Sequence, residues 1–530
     1  MINRSVLKQT CAACALAVIG ATVLPSIGIA KQVTLKSSDG TVNIVGDFVA
    51  FEENAYVVKT GLGELRISAS RVRCEGDACP VFETTGADVV LAGSDTVGLG
   101  LMPLLMSGFA SHLDAEAEVT NTGVTGEVLA NFIGDQGFGD EVGSYLVSST
   151  SSGDAFKNLL DNSAQIGMAS RRIKPKEARE LKKAGAGNMI SPTQEHIVAV
   201  DSLVVITHPE NPIDTLTEEQ LRDIYEGRIT NWSQVGGDDQ QITVVTRQNG
   251  SGTRAVFEDR IFGDKEANLK PSAVIADGNN EMASLVNNDK GALGFVGYAF
   301  QRGAQALTII NHCGQPMTPD SFSAKTEEYA LQRRLYLYTR GDNATELSQQ
   351  FMEYATSDAA DGVIKKSGFI DLGVLAKEQT LDSPRARSLL NANADAFESG
   401  VMREMLSEMV EYDRLSTTFR FRTGSSKMDE RGLIDMERLV QHLEQQPDGT
   451  KIKVVGFTDD VGAFASNRNL SQDRASQVMA TLRNYGGERI AGIQFDSAGY
   501  GEVAPAFCNT DEGGRAINRR VEIWIGSQNG

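Results

Sequence analysis

Between residues 87 and 257 one local pattern occurs three times: an apolar run, a loop of Ser, Thr and Gly, then a helical run. Ala87 to Ala92 leads into Gly93-Ser94-Asp95-Thr96 and a helix through Leu101, Leu104 and Leu105. Tyr145-Leu146-Val147 leads into Ser149-Thr150-Ser151-Ser152-Gly153 and a helix carrying Phe156, Leu159 and Leu160. Ile242 to Val245 leads into Arg247-Gln248-Asn249-Gly250-Ser251-Gly252-Thr253 and a helix through Val256 and Phe257. Short apolar strands alternating with amphipathic helices predict βα units around a mostly parallel sheet, here from Asp88 to about Leu375. A capping box at Thr217-Glu218-Glu219-Gln220 opens one such helix, with Leu221, Ile224 and Tyr225 on one face. An α/β region of this length is expected to have two lobes.

Each junction offers unpaired backbone N–H groups, hydroxyl donors and the positive end of a helix dipole. These are the requirements for holding a tetrahedral anion without a metal. Gly lets the backbone approach, and Arg247 adds charge and a planar fork of donors. A single such loop is more often a capped helix start. Three together, one with Arg four residues before Ser, point to a site.

The segment from about 85 to 372 resembles the phosphate-binding proteins of ABC importers, with the two-lobed type II periplasmic-binding-protein fold. The resemblance rests on Val244 to Thr253 (VVTRQNGSGT), Leu216 to Trp232 and Gly291 to Tyr298. It implies that Thr96 and Val97 contact the ligand from the first loop, Ser151 from the second, and Arg247, Ser251, Gly252 and Thr253 from the third. The implied ligand is phosphate or a similar oxyanion, and an ABC importer or another envelope protein becomes an expected partner. Phosphate binders of this family place an Asp after a Gly-x-Ser segment, where it accepts the proton of hydrogen phosphate and repels sulfate. This chain has Gly167-Met168-Ala169-Ser170-Arg171 there, which removes that discrimination. Arg171 is expected to pair with a dianion, with a plain ion pair as the alternative.

A second, smaller α/β pattern runs from Leu415 to the end. A strand ends at Gly456-Phe457-Thr458-Asp459-Asp460-Val461-Gly462, and Asn467 to Tyr485 reads as an amphipathic helix. With Gly499-Tyr500-Gly501-Glu502, Asn518-Arg519-Arg520-Val521-Glu522 and the opening Phe419 to Ser425, this segment resembles the OmpA-like domain over 415–526. That family grips the diaminopimelate of peptidoglycan stem peptides. The resemblance implies that Asp459 takes the ammonium, that Arg474, fifteen residues on, forks onto the carboxylate, and that Asn467 is a further contact. Arg519 and Arg520 are expected to support the fold.

Residues 31–84 alternate apolar and polar positions, as in Val33-Thr34-Leu35 and Val42-Asn43-Ile44, and predict a small β-rich module. Residues 376–414 read as a helical connector whose Met402, Met405 and Met409 pack a core. The fold class expected is therefore α/β and multidomain. The first thirty residues carry Arg4 and Lys8, an apolar run from Ala12 to Leu24 and a small-residue site at Gly28-Ile29-Ala30, the pattern of a cleaved secretory signal. This predicts a periplasmic location, at the peptidoglycan and near the outer membrane.

In that oxidising compartment Cys74 and Cys79 are the expected disulfide, while Cys313 and Cys508 fall in different domains and their fate is not legible from the sequence. The five His and remaining Cys show no metal-site spacing, so neither metal nor cofactor is expected. A formal net charge of -20 argues against nucleic acid as a partner. His112, His196, His208, His312 and His442 form no recognisable Ser-His arrangement, so Ser251 reads as a donor and the chain as non-catalytic. The leading expectation is a wall-tethered oxyanion receptor. The alternative is an envelope scaffold whose binding fold has lost its ligand.

Overall fold

The computed structural model describes residues 32–527 except 38–42, 53–54, 69–71, 77, 80–85, 264–267, 315, 318–319, 391–394, 422–431 and 511. The expected signal segment, 1–30, lies outside the described residues, as does most of Phe419 to Ser425. Among the described residues no helix is long and apolar enough to cross a membrane.

Alternation in the N-terminal segment produces a five-stranded antiparallel sheet running from Gln32 to Glu75. One face buries Val33, Leu35, Tyr56, Val58, Val72 and Cys74, and Cys74 is joined to Cys79.

The central region is built on a single sheet that passes through both lobes. Its strand order runs Val274–Ala276, Thr243–Arg247, Ala292–Gly297, Glu195–Thr207, Gln332–Thr339, Ile166–Ala169, Val89–Ser94, Glu141–Thr150, Glu127–Ile133, Glu116–Asn121. The sheet is mixed, not mostly parallel, because Glu195–Thr207 and Gln332–Thr339 run antiparallel to their neighbours. Glu195–Thr207 has thirteen residues, about 43 Å at the usual rise, which is enough to reach from one lobe into the other. Its first half pairs with Gln332–Thr339 and its second with Ala292–Gly297. Nearly every position of it is buried, yet Asp201 and Ser202 interrupt the apolar run at the crossing point. Asp201 faces Arg333 in register, and the two form a buried ion pair at 2.7 Å. The capping box at Thr217 is present, with Gln220 and Thr217 exchanging side-chain bonds to backbone N–H groups.

In the C-terminal region the strands Ala376–Lys377, Tyr412–Arg420, Arg520–Gly526, Lys451–Gly456 and Gln494–Gly499 form one sheet. Helices Gly432–Glu444 and Phe464–Gly486 cover one face, where Met436, Leu439, Ala475 and Val478 meet Ile452, Val454 and Ile523. The opposite face is covered by helices Pro384–Leu390 and Ala396–Met409, whose Ala386, Val401, Met405 and Met409 pack on Phe457, Tyr500 and Trp524. The segment expected to link two domains is thus a structural layer of the second one. Sequence pattern gave its helices, but not the apolar sheet face that needed covering. Gly456 is required where strand and helix touch, since a Cβ there would lie 1.9 Å from the carbonyl oxygen of Ser471.

The structure also joins Cys313 to Cys508, a pairing the sequence left open. The reason is a docked loop: Phe507 and Cys508 enter the same core as Trp232, Phe257 and Ile309. Separation of 195 residues hid this pairing from the sequence.

Candidate functional site

The three Ser/Thr/Gly loops converge where the two lobes meet. The strand Val89–Ser94 delivers Asp95 and Thr96 at the start of a helical turn, Thr96–Leu101, in which Val97 is fully buried. The strand Thr243–Arg247 ends on Arg247, and Ser251 caps the helix Gly252–Phe262 by accepting from the Arg254 N–H at 3.2 Å. Ser151 caps Ser152–Leu160 in the same way, accepting from Asp154 N–H. The Ser151 hydroxyl lies against Gly250, so the second and third loops are neighbours. A Cβ on Gly252 would sit 2.3 Å from both the Ser152 and Ser170 hydroxyls, which explains why only Gly fits the helix start there.

Arg247 is the centre of this arrangement. Its side chain is 0% exposed, and Nη2 donates to Asp95 Oδ2 at 3.0 Å and to the Asp277 carbonyl at 3.1 Å. Nε and Nη1 have no hydrogen-bond partner among the described residues. A buried guanidinium with two unanswered donors is costly unless something anionic completes it. Linked to it through Asp95 and Asn279 stand the Thr96 and Thr253 hydroxyls, 3.4 Å apart. Asn279 donates to Thr96 Oγ1 at 3.0 Å and to Asp95 Oδ2 at 3.2 Å. Arg333 donates to Thr253 Oγ1 at 2.7 Å from the strand that crosses the lobes. Burial pushes the Asp201 carboxyl up, opposed by the charge and hydrogen bonds of Arg333.

The structure brings Thr96, Arg247 and Thr253 together with Asp95, Asn279, Arg333 and Asp201, four residues that sequence reasoning did not name as contacts, while Val97, Ser151, Ser251 and Gly252 lie on the same converging loops. The available signal was polar residues inside apolar strands: Asp201-Ser202 in one, Gln332-Arg333 in the other. Arg171 requires a correction. Its Nη1 and Nη2 donate to the two carboxylate oxygens of Glu177 at 2.9 and 2.7 Å, and its guanidinium lies over the Phe156 ring. This bidentate pair, formed across a helix start, withdraws Arg171 from the expected set of anion contacts.

In the C-terminal domain, Asp459 follows the strand Lys451–Gly456 and Arg474 projects from the helix Phe464–Gly486. Arg474 is 1% exposed and lies over the Phe421 ring at 5.2 Å. Burial pushes its pKa down to about 10, against the opposing charge of Asp459 and with the help of Arg519. Asn467 donates to the Asp459 carbonyl at 3.3 Å and to Glu502 Oε2 at 2.5 Å. Arg519 is closer to the site than expected: its Nη1 donates to Asp459 Oδ2 at 2.7 Å and its Nη2 to Glu512 at 2.6 Å. Asp459 and Arg474 therefore face a shared polar centre, with Arg519 as a third charge.

The PBP superfamily domain matches residues 83–359, more than half of the chain, and the OmpA family matches residues 420–519. The chain belongs to the PBP superfamily and carries an OmpA domain C-terminal to it. The phosphate-binding protein PstS of Bacillus subtilis (strain 168) is 26% identical over 225 residues, 42% of this chain and 70% of that protein. The protein of the same name from Staphylococcus saprophyticus is 25% identical over 298 residues, 53% of this chain and 89% of that one. Among solved structures, an ABC-type phosphate transport receptor from Vibrio cholerae is 27% identical and covers 53% of this chain and 99% of its own, with a TM-score of 0.39.

Proposed function

We propose that the cleft between the lobes binds phosphate or a similar tetrahedral oxyanion, and that the C-terminal domain holds the protein to peptidoglycan. The observation that carries the first part is Arg247: a fully buried cation with two donors unpaired among the described residues, beside hydroxyls and two capped helix starts. Arg247, Thr96, Ser251, Gly252 and Thr253 are assigned to the anion, with Val97 and Ser151 at its edge. Asp95 shares Arg247 with it. A carboxylate in that position repels a fully deprotonated anion and accepts a hydrogen bond from one that carries a proton, which favours hydrogen phosphate or hydrogen arsenate over sulfate. The role does not need Arg171, which is engaged with Glu177.

Asp459 and Arg474 supply opposite charges suited to the zwitterionic end of diaminopimelate, with Asn467 and Arg519 orienting Asp459. The working division is a β module at 31–84, the cleft at 85–375 and the wall-binding unit at 415–526, with the helices of 376–414 packed on it. The activity is binding without chemical turnover, in the periplasm after removal of residues 1–30. Tethering limits diffusion, which suits a receptor that buffers or senses the anion at the wall, alone or with an importer.

Calorimetry of the mature, phosphate-stripped protein with phosphate, arsenate and sulfate tests the cleft. Saturable phosphate binding that disappears in Arg247→Ala supports it, and absence of binding to all three anions rejects it.

A further inference from the structure

The C-terminal domain touches both lobes of the cleft, by contacts of different kinds. On the first lobe, Arg438 of helix Gly432–Glu444 donates to the Thr356 carbonyl at 2.7 Å and pairs with Asp358 and Asp361 at 3.3 and 3.4 Å. These partners close the helix Glu346–Thr356, whose Phe351 and Tyr354 pack with Phe109, under the same core as Phe132 and Tyr145. On the second lobe the contact is apolar and covalent: Phe507 and Cys508 are buried in its core, and Cys508 is bonded to Cys313. His312 adds hydrogen bonds to Thr510 and to Glu218. The docked loop is itself held rigid, because Asn518 accepts from the Ala506 and Phe507 N–H groups and donates to the Phe507 carbonyl. Between these ends, Arg334 pairs with Asp435 and Arg414 with Glu328.

We infer that this domain is a brace across the cleft, so that opening the lobes and releasing the Arg438 contacts are one event. In the structure the lobes are closed on each other through Asp95, Thr96, Arg247, Thr253 and Asn279. Swinging the second lobe away carries Cys313, and with it Cys508 and the whole C-terminal domain, away from Asp358 and Asp361. The covalent, core-buried side does not yield, so the polar contacts of Arg438 do. The brace and an anion in the cleft then both favour the closed arrangement, and by linkage each strengthens the other. The brace as such rests on geometry alone; its effect on ligand affinity rests on the oxyanion reading proposed above.

The test compares the oxidised mature protein with Arg438→Ala and with the double variant Cys313→Ser, Cys508→Ser. Hydrogen exchange without added anion follows residues 93–101 and 247–254, and calorimetry with inorganic phosphate gives affinity. Both variants are expected to exchange faster in these two segments and to bind phosphate about fivefold or more weakly. Peptidoglycan sedimentation unchanged from the unmodified protein serves as the folding check on the C-terminal domain. If the double variant fails that check, Arg438→Ala and gentle reduction of the unmodified protein carry the comparison. Unchanged exchange in both segments overturns the brace, as does unchanged affinity in a protein that binds phosphate. Faster exchange in a protein that binds no phosphate leaves the brace standing and removes the oxyanion reading instead.

Discussion

Replacing Arg247 with Ala removes a buried cation at the meeting of the lobes whose Nε and Nη1 have no partner among the described residues. Two nitrogens, Nε and Nη1, are available for the anion, and a hydrogen bond to a charged group contributes about 1.5–3 kcal/mol. The expected loss of binding is thus about 3–6 kcal/mol, or roughly two to four powers of ten in Kd. Asp95 adds to this, since without Arg247 its buried carboxylate keeps, among the described residues, only Asn279 as a side-chain partner and repels the ligand. Breaking the buried Arg247–Asp95 pair at 3.0 Å also costs stability, about 3–5 kcal/mol when one partner alone is removed. Pairing Arg247→Ala with Asp95→Asn separates the two effects: stability should largely recover while phosphate binding does not. Calorimetry at fixed salt and urea unfolding read the two quantities. An Arg247→Ala protein that binds phosphate within tenfold of the unmodified one would refute the reasoning.

Three further outcomes are expected. Asp95→Asn alone should raise sulfate affinity relative to phosphate, because a carboxamide no longer repels a dianion; competition calorimetry reads the ratio, and an unchanged ratio refutes the assignment. Asp459→Asn and Arg474→Ala should each release the protein from sedimented peptidoglycan while leaving phosphate binding intact. Glu522, fully buried, accepts from Arg385 and Arg520 and pairs with Arg414; burial pushes its carboxyl up, but these three guanidinium groups hold it well below the usual value. Its stabilisation should be complete above the unfolded value of about 4.3 and be lost as pH falls through the lower folded value, and Glu522→Gln should remove about 3–5 kcal/mol at neutral pH and flatten the acid slope in urea titrations.

What the sequence by itself determined was local. Helix starts at Ser151, Thr217 and Ser251 follow from side chains that cap their own N–H groups three residues on, and such bonds need no tertiary context. Pattern likewise placed Asp459 just after a strand and Arg474 on the following helix. The tertiary structure decided what depends on separation along the chain. Thr96 meets Arg333 across 237 residues, and Asn279 meets Asp95 across 184. Arg171 turned to Glu177, only six residues away, because a helix start brought that carboxylate to it. Cys313 found Cys508 because an apolar loop, Phe507-Cys508, had a core to enter. Capping is a property of a few adjacent residues, whereas an ion pair, a disulfide or a shared core is decided by which surfaces the folded chain brings together.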